Sequence, residues 1–296
     1  MEIMKRIRFF LLTLAVAMLA SCGTMNTVPI TGRKQNLLVN DEQVLSLSNQ
    51  QYQEYMQKAR LSADGVNTAM VRRVGQRLAD AVVTYLNSNG MGGDVSQYKW
   101  EFNLVQDSNV NAFCMPGGKI VVYDGLLPVT RDEASLAIVL GHEIAHAVAR
   151  HSAERLSNQV KQQYGSQILG TVLSGAGAST SLQQIGSTVF GLGSTLGSAA
   201  YSRKQESEAD RLGIIFAAMA GYDPQVAIPF WQRMASATGG GSSIFSDHPS
   251  DAKRISDIQK WMPEALKYYK GGGTVPQGGV PLQQSNIPTI HISTKK

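Results

Sequence analysis

Two histidines and a glutamate lie at a spacing typical of a metal centre: His142, Glu143 and His146. Apolar residues around them recur at helical spacing, and four residues advance a helix by about 400°, so both imidazoles project from one face. Two neutral imidazoles so placed can bind one zinc ion. Glu143 is rotated by about 100° from His142, within reach of a water on the metal. We therefore expect one Zn²⁺ per chain with Glu143 as general base, rather than a polar helical turn whose buried rings would lack partners.

A catalytic zinc usually has three protein ligands, and the residues just after His146 do not provide the third. The extended pattern His-Glu-x-x-His-x-x-Gly-x-x-His needs a glycine at 149 and a histidine at 152, where this chain has Ala149 and Ser152. His151 is five residues past His146, about 140° round a continuous helix, so we expect it to be a surface or capping histidine. The third ligand should come from another helix.

The best candidate for that ligand is Glu206, sixty residues after His146. Asp210 follows at i+4 on the same helical face, which also carries small residues that would allow a close approach to the histidine helix. Glu208 points about 200° away from Glu206. We interpret Glu206 as a metal ligand and Asp210 as the acceptor of the second N–H of a ligating histidine. A solvated acidic helix start is an equally good interpretation of the spacing alone.

The elements that position these residues are mainly helical. Residues 100–104 alternate in polarity, residues 120–123 are β-branched and aromatic, and a Pro-Gly-Gly turn precedes them. These features predict an α+β fold, mainly α-helical, with a small antiparallel sheet beside the helix of the two histidines. Helices are predicted over residues 41–60, 66–86, 131–164, 203–219 and 224–237.

The two ends of the chain differ from its body. Basic residues precede an apolar run that is too short to span a membrane, and Leu-Ala-Ser-Cys22 follows, so we expect a lipoprotein signal peptide over 1–21 with Cys22 as the lipid-bearing N-terminus. An ordinary secretory signal is the alternative. Residues 22–40 are predicted to be a tether, 41–270 a zinc metallopeptidase domain, and 271–296 a disordered tail rich in Gly, Pro, Gln and Ser.

Charge and cysteine content exclude several classes of protein. The chain has 27 basic and 22 acidic residues, and this small, scattered excess argues against nucleic acid as a partner. Its two cysteines are too few for a disulfide scaffold or a thiolate zinc cluster. We expect the second, Cys114, to be buried and inert.

An uncharged segment lies between Lys161 and Arg203 and is rich in small residues. Three interpretations are open: helices packed against the histidine helix, a mobile lid over the site, or a surface that lies on lipid.

Several short motifs together resemble peptidase family M48, which includes the CAAX prenyl protease and the mitochondrial overlapping-activity protease. The resemblance covers about residues 40–260 and is strongest to bacterial lipoprotein peptidases of the periplasmic face of the outer membrane. It rests on Asn111-Ala112-Phe113, Pro116-Gly117-Gly118, Gly141 to His146, Arg150-His151, Glu206-x-Glu-Ala-Asp210 and His248-Pro249.

The resemblance implies a gluzincin-like metallopeptidase in which Glu206 is the third zinc ligand and Asp210 its supporting residue. It also implies that His248 lies near the metal, where it stabilises the tetrahedral intermediate or occupies a fourth zinc position. Arg254 matches a family arginine that polarises the substrate carbonyl.

The expected activity is an endopeptidase that hydrolyses unfolded or misassembled cell-envelope proteins as quality control. We expect the substrate to add as a strand to the sheet edge near Asn111 to Phe113. The expected location is a bacterial outer membrane facing the periplasm, with the lipid anchor at Cys22 and the outer-membrane assembly machinery as a partner. The alternative is a non-proteolytic chaperone or assembly factor that retains the peptidase fold.

Overall fold

The computed structural model describes residues 24–174, 186, 189, 201–237 and 252–271. The predicted α+β, mainly helical fold is confirmed. Its strands are β1 (Thr24–Thr27), β2 (Lys34–Leu37), β3 (Glu101–Val105), β4 (Ala112–Met115) and β5 (Lys119–Tyr123). Its helices are α1 (Asp41–Met56), α2 (Gly65–Ser88), α3 (Gly92–Val95), α4 (Leu127–Thr130), α5 (Glu133–Val148), α6 (His151–Ser174), α7 (Arg203–Met219), α8 (Ala227–Ala237) and α9 (Ala252–Ala265).

The two helices that carry the candidate ligands have well-defined starts. Asp132 caps α5 by accepting a hydrogen bond from the backbone N–H of Ser135 at 2.7 Å. Ser202 and Gln205 form a reciprocal capping box at the start of α7. The bounds of α7 coincide with those predicted from the sequence.

The three-stranded sheet has the order β3-β5-β4. The antiparallel part of the predicted small sheet is the hairpin of β4 and β5, and Gly117 and Gly118 in its turn have φ near 85°, a conformation that glycine adopts without strain. The predicted strand at residues 100–104 is β3, and it pairs with β5 in parallel rather than antiparallel, because β4 lies between the two in the chain and takes the other side of β5. Among the described strands, β4 has a neighbour on one side only, and it contacts α5.

Helix α5 is central to the fold. It lies among α2, α7 and β4, and its residues are buried on almost every face. Leu136, Leu140 and Ile144 of α5 share one core with Leu212 and Phe216 of α7. Burial all round leaves the His142 and His146 side chains little room to change their conformation.

Helices α5 and α7 touch through their backbones at two glycines. A Cβ at Gly141 would lie 2.6 Å from the carbonyl oxygen of Gly213, and a Cβ at Gly213 would lie 2.7 Å from the backbone nitrogen of His142. The small residues predicted to allow close approach therefore do so.

Gly213→Ala is expected to lower the free energy of unfolding by about 1–3 kcal/mol, because the added methyl must push the two helices apart. Urea unfolding measures the change. Gly65→Ala is the matched control, since a Cβ at Gly65 has no heavy atom within 4 Å. Equal stability of both variants would show that the close contact does not limit the packing.

The predicted helix over 131–164 is wrong in one respect, because the structure breaks it between α5 and α6. Arg150 has φ of 53°, in the left-handed region, and this turn starts α6 in a new direction. The Gln35 amide donates to the carbonyl of Ala149 at 2.8 Å. It therefore provides a partner for one of the backbone carbonyls that the end of α5 leaves without a helical hydrogen bond.

The tether predicted for residues 22–40 is also wrong over its described part. Strands β1 and β2 form an antiparallel hairpin that packs on the body, and Val28, Leu37 and Val39 are buried. The polar residues of this segment suggested a tether, but two of them attach the hairpin to the body. Arg33 and Gln35 form ion pairs and hydrogen bonds with residues that are distant in the chain.

Other expectations fall partly or wholly outside the described residues. Cys114 is buried, as predicted, and burial raises the pKa of its thiol. Within the uncharged segment, Val189 is buried in a core shared with Leu156 and Val160 of α6, which favours packing at that point. Among the described helices, none is long and apolar enough to cross a membrane. The predicted signal peptide, Cys22, His248 and residues 272–296 lie outside the described part.

Candidate metal centre

Three buried side chains from α5 and α7 converge on one point: His142, His146 and Glu206. The two Nε2 atoms are 3.0 Å apart, and the Glu206 carboxylate oxygens lie 3.5 Å from Nε2 of His142 and 3.4 Å from Nε2 of His146. Ligands at 2.0–2.1 Å from a tetrahedral ion are about 3.3–3.4 Å from one another. The donor set therefore fits one small divalent cation.

Asp210 supports His142 from the side away from this point. His142 donates through Nδ1 to Oδ1 of Asp210 at 2.8 Å. Burial opposes the charge on His142, but hydrogen bonds to Asp210 and Glu206 outweigh burial and raise its pKa to about 10. The carboxylates of Asp210 and Glu206 thus favour positive charge at His142. The structure places Glu206 and Asp210 together as the sequence spacing suggested.

Arg254 of α9 contacts both carboxylates of the site. Its Nε donates to Asp210 at 2.6 Å and its Nη2 donates to Glu206 at 2.9 Å. The guanidinium carbon lies 4.1 Å from the centroid of the Trp231 ring. Arg254 therefore orients the two carboxylates, and its expected role in polarising a substrate carbonyl stays a prediction.

His151 lies against His146, contrary to the surface position predicted from a continuous helix. It is fully buried, and the two Nδ1 atoms are 2.8 Å apart. Nε2 of His151 is 3.0 Å from Oε2 of Glu208. The left-handed turn at Arg150 brings His151 back toward α5, which the angular argument did not allow for.

Glu208 is not expected at the metal centre, because it is rotated by about 200° from Glu206 on the same helix. Glu208 is buried, and its carboxylate contacts His151, which in turn contacts the candidate ligand His146. Burial raises the pKa of a carboxyl group, but hydrogen bonds from His151, Arg33 and Thr31 outweigh it and lower the pKa of Glu208 to about 2. No signal in the sequence singled out Arg33 or Thr31.

Glu143 is buried on α5, directly after His142 in the chain. Burial raises the pKa of Cys114 on β4, and the negative charge of Glu143 adds to this effect. The Tyr201 ring stacks on His146 with centroids 3.9 Å apart, and its hydroxyl is 2.9 Å from Oγ of Ser152. No sequence pattern singled out Tyr201.

Paired histidines on one helix and a glutamate from a second helix define a gluzincin-type metallopeptidase site. This chain belongs to peptidase family M48, whose sequence profile matches residues 66–262. It is 40% identical over 175 residues, 58% of its length, to the mitochondrial metalloendopeptidase OMA1 of Schizosaccharomyces pombe, covering 49% of that protein. It is 31% identical to the Bos taurus metalloendopeptidase OMA1 over 85% of its length and 48% of the relative.

Bacterial relatives match as well. The chain is 26% identical to the beta-barrel assembly-enhancing protease of Escherichia coli over 81% of its length and 48% of that protein. The chain thus spans about half the length of these relatives.

The predicted location at a bacterial outer membrane is contradicted by these comparisons. The relatives from fission yeast and cattle are mitochondrial enzymes by name. The fission yeast protein, at 40% identity, is more similar over the matched region than the E. coli protease at 26%. The prediction of an outer-membrane location is therefore wrong.

Proposed function

We propose that this protein is a zinc-dependent endopeptidase that hydrolyses peptide bonds in unfolded or misassembled proteins. The observation that carries the proposal is the convergence of His142, His146 and Glu206 on one point, and Glu143, which follows His142 in the chain, is also buried. When held by these three residues, zinc supplies Lewis acidity and lowers the pKa of water.

The chain's own residues supply the remaining chemistry. Glu143 accepts a proton from the attacking water and returns it to the leaving amine. Asp210 and Arg254 hold His142 and Glu206 in fixed orientations, so the donor set does not have to reorganise during the reaction.

The position of β4 supports an extended substrate. This strand contacts α5 and, among the described strands, has a neighbour on one side only, so a peptide can add along its other side. Main-chain pairing of this kind requires an extended segment and tolerates varied side chains, which favours unfolded proteins. Two relatives are named beta-barrel assembly-enhancing proteases, one of them putatively so, and these names also support a role in protein quality control.

Removal of the metal is expected to abolish proteolysis. The purified chain should cleave a chemically unfolded test protein, lose that activity with a zinc chelator, and regain it when zinc is added back. Fragment analysis by mass spectrometry measures the cleavage, and the same test protein in its folded form is the control. Cleavage that survives complete chelation would contradict the zinc mechanism, and equal cleavage of the folded form would contradict the substrate class.

A further inference from the structure

The side of His146 that faces away from the donor set meets a row of polar residues that reaches the N-terminal hairpin. His146 presents Nε2 to Glu206, and its Nδ1 is 2.8 Å from Nδ1 of His151. Nε2 of His151 is 3.0 Å from Glu208, and all four side chains are buried. The row lies behind the metal ligand, as Asp210 lies behind His142.

Only one arrangement of protons satisfies this row when His146 binds a metal through Nε2. His146 must then carry its proton on Nδ1 and donate it to His151. His151 therefore accepts at Nδ1, carries its own proton on Nε2 and donates to the Glu208 carboxylate. Each neutral ring has one proton, and each proton has an acceptor.

Residues of the β1–β2 hairpin hold the Glu208 carboxylate at the end of the row. The Thr31 hydroxyl donates to Oε1 of Glu208 at 2.6 Å, and Arg33 donates from Nε to Oε2 at 2.7 Å. Thr31 lies between Ile30 and Gly32, both with positive φ, in a turn closed by a hydrogen bond from Val28 to Arg33. The hairpin tip therefore has a defined conformation that directs both groups at Glu208.

We propose that His151, Glu208 and the hairpin residues Thr31 and Arg33 form a positioning relay that fixes the orientation and tautomer of the metal ligand His146. The proposal rests on the proposed function, since it requires a metal at the donor set. Through this relay, the β1–β2 hairpin becomes part of the metal centre, although it lies far before α5 in the chain. Outer residues of this kind typically change metal affinity by about 10- to 100-fold.

Glu154 provides a matched control for Glu208. It binds Arg33 at 2.7 Å on the other side of the guanidinium and also accepts from Gln35 and Gln205, so its hydrogen bonds lead to the hairpin and to α7. Both carboxylates fasten the hairpin, and only Glu208 continues the row to His146. A structural role alone would make the two glutamates equivalent.

The first experiment compares Glu208→Gln with Glu154→Gln in the full chain, by competition for zinc with a chromophoric chelator and by thermal unfolding. Both variants should be less stable than wild type. Only Glu208→Gln should bind zinc more weakly, by about 10- to 100-fold. Equal zinc affinities of the two variants would overturn the relay. A wild-type chain that binds no zinc would instead refute the proposed function.

A second pair of variants tests the relay at His151 itself. His151→Phe keeps a ring but removes the acceptor for His146, so zinc affinity should fall by about 10- to 100-fold. His151→Asn retains an acceptor near the position of Nδ1 and should keep most of the affinity. In cobalt-substituted protein, the visible absorption bands, which report ligand geometry, should change in the Phe variant and not in the Asn variant. Identical behaviour of the two variants would overturn the proposal.

Discussion

Glu143→Gln is expected to lower kcat for peptide hydrolysis by about 100- to 10,000-fold, the contribution typical of a general base, while zinc remains bound. The reason is that Glu143 is not one of the three converging donors, although it follows the donor His142 directly on α5. Glutamine has nearly the same volume, so the buried position on α5 can accept it without a cavity. The amide cannot take a proton from water.

The measurement combines kcat on an unfolded substrate with the zinc content of the purified variant. Glu133→Gln, the same substitution at the start of the same helix, is the control; Glu133 pairs with Arg73 away from the donor set and should retain full activity. A Glu143→Gln variant with wild-type kcat would rule out the assigned base. Loss of zinc in that variant would show that Glu143 acts as a ligand.

Glu206→Gln is expected to weaken zinc binding by more than about 100-fold, beyond the range for residues that only support a ligand. Glu206 is the only carboxylate among the three converging donors, and a neutral amide is a much poorer ligand for a divalent cation. The fold should persist, because Arg254 keeps its hydrogen bond to Asp210 at 2.6 Å.

Zinc affinity of this variant is measured by competition with a chelator, and circular dichroism checks that it is folded. Glu264→Gln is the control, since Glu264 pairs with Arg211 of the same helix as Glu206 at a partly exposed position. Unchanged zinc affinity in a folded Glu206→Gln variant would remove the third ligand from the site, and with it the class of metal centre described above.

The part of the site that follows from helix geometry could be predicted from the sequence. Residues four apart on one helix share a face, so the spacing alone pairs His142 with His146 and Glu206 with Asp210. Small residues on α7 indicated a close approach, and Gly213 makes it. These features could be predicted because, within one regular helix, residue spacing alone determines which side chains share a face.

The part that depends on irregular backbone could not be predicted. Arg150 adopts a left-handed conformation usually taken by Gly or Asn, so nothing in the sequence marked the break that turns His151 toward His146. Arg33 reaches Glu208 across 175 positions of the chain, and no local pattern encodes such a pair. The resemblance placed Arg254 near the metal but could not show which side of Glu206 it approaches.

The hairpin also determines where a recombinant form of this protein can begin. A fragment that starts at Asp41 would include the residues matched by the family profile, yet it would lack Arg33, whose guanidinium lies between Glu154 and Glu208. The carboxylates of Glu154 and Glu208 would then lose the positive charge that pairs with them. Apolar residues now covered by the hairpin would also become exposed to solvent. Expression vectors for this enzyme should therefore retain the sequence from Thr24 onward, and truncations chosen from family boundaries alone would produce a weakened protein.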